Sequence, residues 1–170
     1  MKTVLKLLPW AAALFIAAIF LDSLRFKFTG HPTPEHIFTT LRDWSGIGLF
    51  FPVGPWLIGT AELVSALLVL ILPLVLVLGG RGRTAHGLQW LGALVGLGVM
   101  SGAIVFHLFT PLGIDTPVEW AGGEPTAYSA ALFWSACVTW LCCALILWMR
   151  RGAVPAWVPV VGRPAAPTAI

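Results

Sequence analysis

Charge is what this sequence has least of. Asp, Glu, Lys and Arg make up 10% of its 170 residues, where a soluble domain carries roughly 25%. With 58% hydrophobic residues and a mean hydropathy of +0.91, the chain has too few polar groups to cover a surface in water, so lipid is the expected solvent. Cysteine is scarce as well. Cys137, Cys142 and Cys143 all fall in one late apolar segment without a C-x-x-C, which argues against a disulfide scaffold and a thioredoxin-like dithiol. The vicinal Cys142-Cys143 reads as small-residue packing, because apolar surroundings make thiols inert. No basic run is interleaved with aromatics, so nucleic acid is not an expected partner. A Ser/His/Asp order, a haem motif, a cysteine ligand set and a dinucleotide fingerprint are all missing. The Gly79–Arg83 turn is glycine-rich but lacks the P-loop lysine spacing.

What is present is apolar length. Four runs, about residues 5–24, 54–78, 85–109 and 127–149, each approach the ~20 residues that an α-helix needs to span a bilayer. They predict an all-α membrane protein, a four-helix bundle over residues 1–151, followed by a Pro/Ala-rich tail at 152–170 in which Trp157 is placed at the interface. Lys2 and Lys6 precede the first run, as in a signal peptide. The run ends in Asp22-Ser23-Leu24-Arg25 without a small-residue cleavage pattern, so it is read as a retained helix. Pro73 marks a kink in the second span. Between the first two spans, Thr33-Pro34-Glu35 reads as a helix start with Thr33 as N-cap. Ile37, Phe38, Leu41 and Trp44 then share one face of a short amphipathic helix over residues 34–44, expected to lie in the membrane interface. Residues 111–125 read as a second outer connection.

The charges that exist are segregated. Four spans put the N terminus, the 79–84 turn and the tail on one side, with Lys2, Lys6, Arg81, Arg83, Arg150, Arg151 and Arg163 and no acid. All seven acids, Asp22, Glu35, Asp43, Glu62, Asp115, Glu119 and Glu124, belong to the other half. The positive-inside rule therefore predicts both termini in the cytoplasm, with the long connections outside an inner (plasma) membrane.

Glu62 is the one ionised side chain deep within an apolar run. A carboxylate there costs about 2.5–3.5 kcal/mol on insertion scales, so it needs a partner and should face protein. Glu62 lies ~10 Å below the outer surface and His107 ~5 Å below it. Asp22, Arg25 and Lys27 sit at the outer end of the first helix, so three helices bring polar groups to one depth. Two readings follow. In one, the groups satisfy each other: Glu62 pairs with Arg25 or Lys27, His107 bonds to a carboxylate, and the helices are locked in register. In the other, the cluster is a site open to the outer face for a quinone-like or lipid headgroup, or a proton-accepting pair. A metal site is the weakest reading: His31 and His36 share the side of His107, but their spacing is not that of a one-face helical pair. His86 and Gln89 read as interface polar residues. Gly92-x-x-x-Gly96 and Gly98-x-x-x-Gly102 allow close backbone approach, either at the centre of the bundle or in a self-association seam.

Taken in order, Leu24-Arg25-Phe26-Lys27-Phe28-Thr29-Gly30, Ile58-Gly59-x-x-Glu62-Leu63 and Met100-Ser101-Gly102-Ala103-Ile104-x-x-His107-Leu108 resemble the DoxX and DoxX-like family of four-helix membrane proteins. The resemblance covers roughly residues 5 to 149. It implies a bundle in a bacterial inner membrane and carries over Lys27, Glu62 and His107 as family-type positions. Members of that family are linked to thiosulfate:quinone oxidoreductase, to oxidative-stress complexes at the membrane, or to maturation roles. The leading expectation is a non-catalytic accessory subunit of a larger, redox-linked membrane assembly. The alternatives are the membrane subunit of a quinone-linked oxidoreductase and a small proton-coupled carrier; the lack of an inverted repeat argues against the carrier. A bound cofactor is not expected, a quinone or lipid ligand excepted.

Overall fold

The computed structural model describes residues 2–154, with side chains from Lys6 onward; the rest of the tail, with Trp157 and Arg163, lies outside the described residues. Four helices are long and apolar enough to cross a membrane, as expected: Lys6–Lys27, Val53–Leu78, Gly82–Phe109 and Ala131–Met149.

Helix α1, Lys2–Lys27, runs without a breaker after Pro9 until Thr29-Gly30, where Gly30 turns the chain at φ +73°. Helix α2, Pro32–Ser45, starts two residues earlier than its sequence suggests. His31 is the N-cap, its Nδ1 accepting the Thr33 N–H at 3.2 Å, and Thr33 sits inside the first turn. The helix ends on Gly46, left-handed at φ +72°, whose N–H donates to the Arg42 carbonyl at 2.8 Å.

The second span comprises α3, Val53–Ala66, a five-residue π-turn, Leu67–Ile71, and α4, Leu72–Leu78. Pro73 explains the turn. It has no N–H to offer the Val69 carbonyl four residues back, and that carbonyl is buried among helices with no water to replace it. The side chain of Gln89, on α5 (Gly82–Phe109), fills the role: its Nε2 donates to the Val69 carbonyl at 3.2 Å, while its Oε1 accepts from Arg150 Nε at 2.9 Å. Gln89 is therefore a fully buried structural residue, and the interface placement expected for it is corrected.

The second outer connection has regular structure, and the start expected for the last span at 127 is corrected. Residues Thr116–Ala121 (β1) and Glu124–Ser129 (β2) form an antiparallel hairpin. The two-residue Gly122-Gly123 loop, at φ +62° and +87°, has the sign that a tight primed hairpin turn requires. Because β2 takes residues 124–129, helix α6 begins at Ala131 rather than 127 and ends at Met149. The fold is mostly helical, with this one small sheet outside the bundle among the described residues.

Helix α5 packs on α3, α4 and α6, and α1 packs on α3 and α6. The core between them is built from Ile16, Phe20, Val69, Ala93, Cys143 and Ile146, all fully buried. Small residues set the approach of α5. A Cβ at Gly92 would stand 2.8 Å from the Val69 backbone nitrogen, and one at Gly96 would stand 2.8 Å from Ser65 Oγ and 3.0 Å from Cys143 Sγ. Cβ atoms at Gly98 and Gly102 would meet nothing within 4 Å. The four glycines thus divide into a packed pair and an open pair.

Gly92→Ala and Gly96→Ala should each lower thermal stability in detergent, at a cost of about 1–3 kcal/mol for overpacking. Gly98→Ala should be neutral or mildly stabilising, since alanine is favoured in helix by up to about 1 kcal/mol. Unfolding curves followed by tryptophan fluorescence would check this, and an equal loss at Gly98 would contradict the division.

Candidate functional site

The end of the bundle that carries the hairpin is hollow. A cavity of about 530 Å³ lies between α1, α3, α5 and α6, beneath α2 and β1. It exists because Gly98 and Gly102 present no side chain there, while α2 roofs the opening and turns Phe38 and Leu41 inward as buried residues. The amphipathic face expected to lie on lipid thus packs largely on the chain itself, with Trp44 left half exposed.

One hydroxyl fastens the roof. Thr33 Oγ1 donates to the Pro117 carbonyl of β1 at 3.0 Å and accepts the Trp120 indole N–H at 2.9 Å. His36 packs edge-on against Trp120, at 6.0 Å between ring centroids, and burial lowers its pKa below the ordinary histidine value, which keeps the imidazole neutral at pH 7. Trp120 is thereby part of this latch.

On one wall Glu62 meets its partner. Lys27 Nζ donates to Glu62 Oε1 at 2.9 Å and to Oε2 at 2.8 Å, and also to Ser23 Oγ, which in turn donates to Glu62 Oε2 at 2.8 Å. The Glu62 side chain is 4% exposed and that of Lys27 16%, so this is a buried ion pair. Of the two cations offered by sequence, Lys27 is the one used. Its neighbour Phe28 lodges where Gly59 leaves room, and stacks on Trp56 at 4.8 Å between centroids, which directs the end of α1 onto α3. Arg25 is excluded from the cluster: it pairs with Asp22 at 2.9 Å, with both side chains more than half exposed.

His107 lines the same cavity but binds no carboxylate. Its Nδ1 lies 2.6 Å from the Gly113 carbonyl. A carbonyl only accepts, so Nδ1 carries the proton and Nε2 of the neutral ring is an acceptor. His31, also on the cavity lining, has the opposite tautomer: its Nδ1 accepts from Thr33 N–H, so Nε2 carries the proton. Among the described residues, no group of three His, Cys, Asp or Glu is placed to hold a metal ion. His31 caps α2 and His36 packs on the hairpin, so the two are engaged elsewhere.

Sequence depth found Lys27, Glu62 and His107; it missed Ser23, Thr33 and the open glycines. Ser23 was legible as the residue one helical turn before Lys27, on the same face. Thr33 was not, because its partner belongs to a hairpin 84 residues away. Compared with family models, curated proteins and solved structures, the chain matches none.

Glu62→Ala leaves Lys27 buried without its counter-ion and should cost about 3–5 kcal/mol, whereas His107→Ala loses one hydrogen bond and about 1–3 kcal/mol. The double variant Lys27→Met/Glu62→Leu should recover most of the Glu62→Ala loss. Thermal unfolding of the three variants is the measurement, and a double variant no better than Glu62→Ala would contradict the pairing.

Proposed function

We propose that this chain is a non-catalytic membrane subunit that holds an isoprenoid quinone, or an amphiphile with the same headgroup chemistry, in the cavity under α2 and the hairpin, for use by a redox partner. The carrying observation is the cavity itself. Its volume falls within the ~300–1,000 Å³ range of small-molecule sites, and it combines apolar walls with few polar groups, as such sites do.

Donor and acceptor accounting favours that headgroup. The three N–H bonds of Lys27 are matched by Glu62 and Ser23, so the cluster is closed on itself. What the lining has to spare is an acceptor, His107 Nε2, and a donor, His31 Nε2–H. A ring with an oxygen at each end, carbonyl when oxidised and hydroxyl when reduced, suits such a pair. Phe26 and Phe106 add aromatic surface to the lining. The resemblance to DoxX-like proteins bears on the same residues, since Lys27, Glu62 and His107 all line this space.

Charge supports the orientation. The end with Lys6, Arg81, Arg83, Arg150 and Arg151 carries no acid, so we place it in the cytoplasm and the cavity at the outer face of an inner membrane. An accessory role, rather than catalysis, suits a chain without an electron-carrier motif of its own.

Titration of purified protein in lipid nanodiscs with a short-chain ubiquinone analogue, followed by tryptophan quenching, tests the reading. Saturable binding is expected. Gly102→Leu, which fills the cavity from an open position, should weaken it at least tenfold with little change in thermal stability. His107→Leu should weaken it about tenfold, the worth of one hydrogen bond. Binding no stronger than partition into the lipid, or unaffected by Gly102→Leu, would overturn the proposal.

A further inference from the structure

The opposite end of the bundle has a concavity of its own. An open cleft of about 460 Å³ is bounded by Gly82, Arg83 and His86 at the start of α5 and by Met149, Arg150 and Gly152 at the end of α6. Two guanidinium groups and an imidazole line one space, and the chain supplies no carboxylate to balance them. Residues 1–21, 63–114 and 125–170 contain no Asp or Glu at all, and every described residue that bounds the cleft falls in the second or third of these segments.

Arg150 carries the argument. Its Nε is taken by the neutral Gln89 amide at 2.9 Å, and its Nη2 is shielded from solvent without a hydrogen-bond partner among the described residues. An unpaired buried donor of a charged group is costly, and burial lowers the Arg150 pKa from its ordinary value for the same reason. An anion in the cleft would offset the charge of this poorly solvated guanidinium. Arg83 is exposed and free of any role in the core. The first turn of α5 adds backbone N–H groups, because this 28-residue helix begins without a side-chain cap. The cleft also lies where the spans 82–109 and 131–149 end, which is the depth of lipid phosphates.

We infer that this cleft is a phosphate-group site, held by the guanidinium groups of Arg83 and Arg150. Planar guanidinium forks match phosphate oxygens in pairs, and basic pockets between helices at the membrane surface take anionic headgroups. The phosphate belongs either to the phosphodiester of an anionic lipid or to a free phosphate, and the chemistry of recognition is shared.

The test uses the full chain in neutral detergent, mixed with phosphatidylglycerol or phosphatidylcholine and read by native mass spectrometry, with a parallel thermal-shift titration of inorganic phosphate. One retained phosphatidylglycerol, with phosphatidylcholine lost, is expected if the source is lipid. Stabilisation by millimolar inorganic phosphate, with displacement of the lipid, assigns a free phosphate instead. Arg83→Gln should reduce either signal about tenfold while leaving thermal stability intact. Arg150→Gln should reduce it as well, and also lower stability through Gln89. Arg25→Gln removes an equal charge at the far end and should change nothing. If neither probe is retained, or if Arg25→Gln weakens retention as much as Arg83→Gln, the site does not exist.

Discussion

A carboxylate inside a membrane helix dictates much of this architecture. Glu62 can remain ionised at that depth only with a cation and full hydrogen bonding, and Lys27 with Ser23 provides both. Meeting Glu62 fixes the last turn of α1 on α3, and Phe28 seated at Gly59 fixes it a second time. With α1 and α3 joined there, and α5 packed on α3 lower down through Gly92 and Gly96, the helices diverge where α5 presents Gly98 and Gly102. The cavity is the result. A purely structural lock would be served as well by apolar side chains, since buried ion pairs seldom stabilise more than well-packed hydrophobic replacements. The pair lies on the wall of the cavity, where it forms a polar boundary.

The roof shows how a chain with few polar residues places each of them. Thr33 joins α2 to β1 and to Trp120 through a single oxygen, so α2 and the hairpin cover the cavity as one unit. The same economy governs the other end of the molecule. Pro73 leaves a carbonyl without a donor, Gln89 satisfies it, and Arg150 satisfies Gln89. That chain of dependence draws a cation into the helix interface and leaves part of it unmatched, which is the origin of the basic cleft. Two concavities of different character therefore arise from the same requirement, that buried polar groups be paired.

What could be read from the sequence was whatever depends on length, depth or charge along one chain. The four spans, the pairing of Glu62 with a first-helix cation and the presence of His107 at the same level all follow from position alone. Which cation pairs with Glu62 did not, because Arg25 and Lys27 differ by two residues and so by about 200° around a helix. Only the packing of Phe28 against Gly59 decides between them. The hairpin had a signal in Gly122-Gly123, but Pro117 and Pro125 within its strands obscure the alternation that usually marks a sheet. The role of Gln89 required knowing that α5 passes beside Val69, a tertiary fact. The division of the glycines into packed and open pairs was equally invisible, since both pairs share one spacing.

Whether the cavity under α2 and the hairpin holds a ligand is tested most directly by photolabelling. An azido-quinone analogue, irradiated with the protein in native membranes and mapped by peptide mass spectrometry, should attach to cavity residues of α1, α2 and α5, such as Phe26, Phe38 or Phe106, and be competed by unlabelled quinone. Labelling confined to lipid-facing side chains such as Leu14, Val75 or Leu141, without competition, would contradict the account and leave the Lys27–Glu62 pair as a structural lock alone.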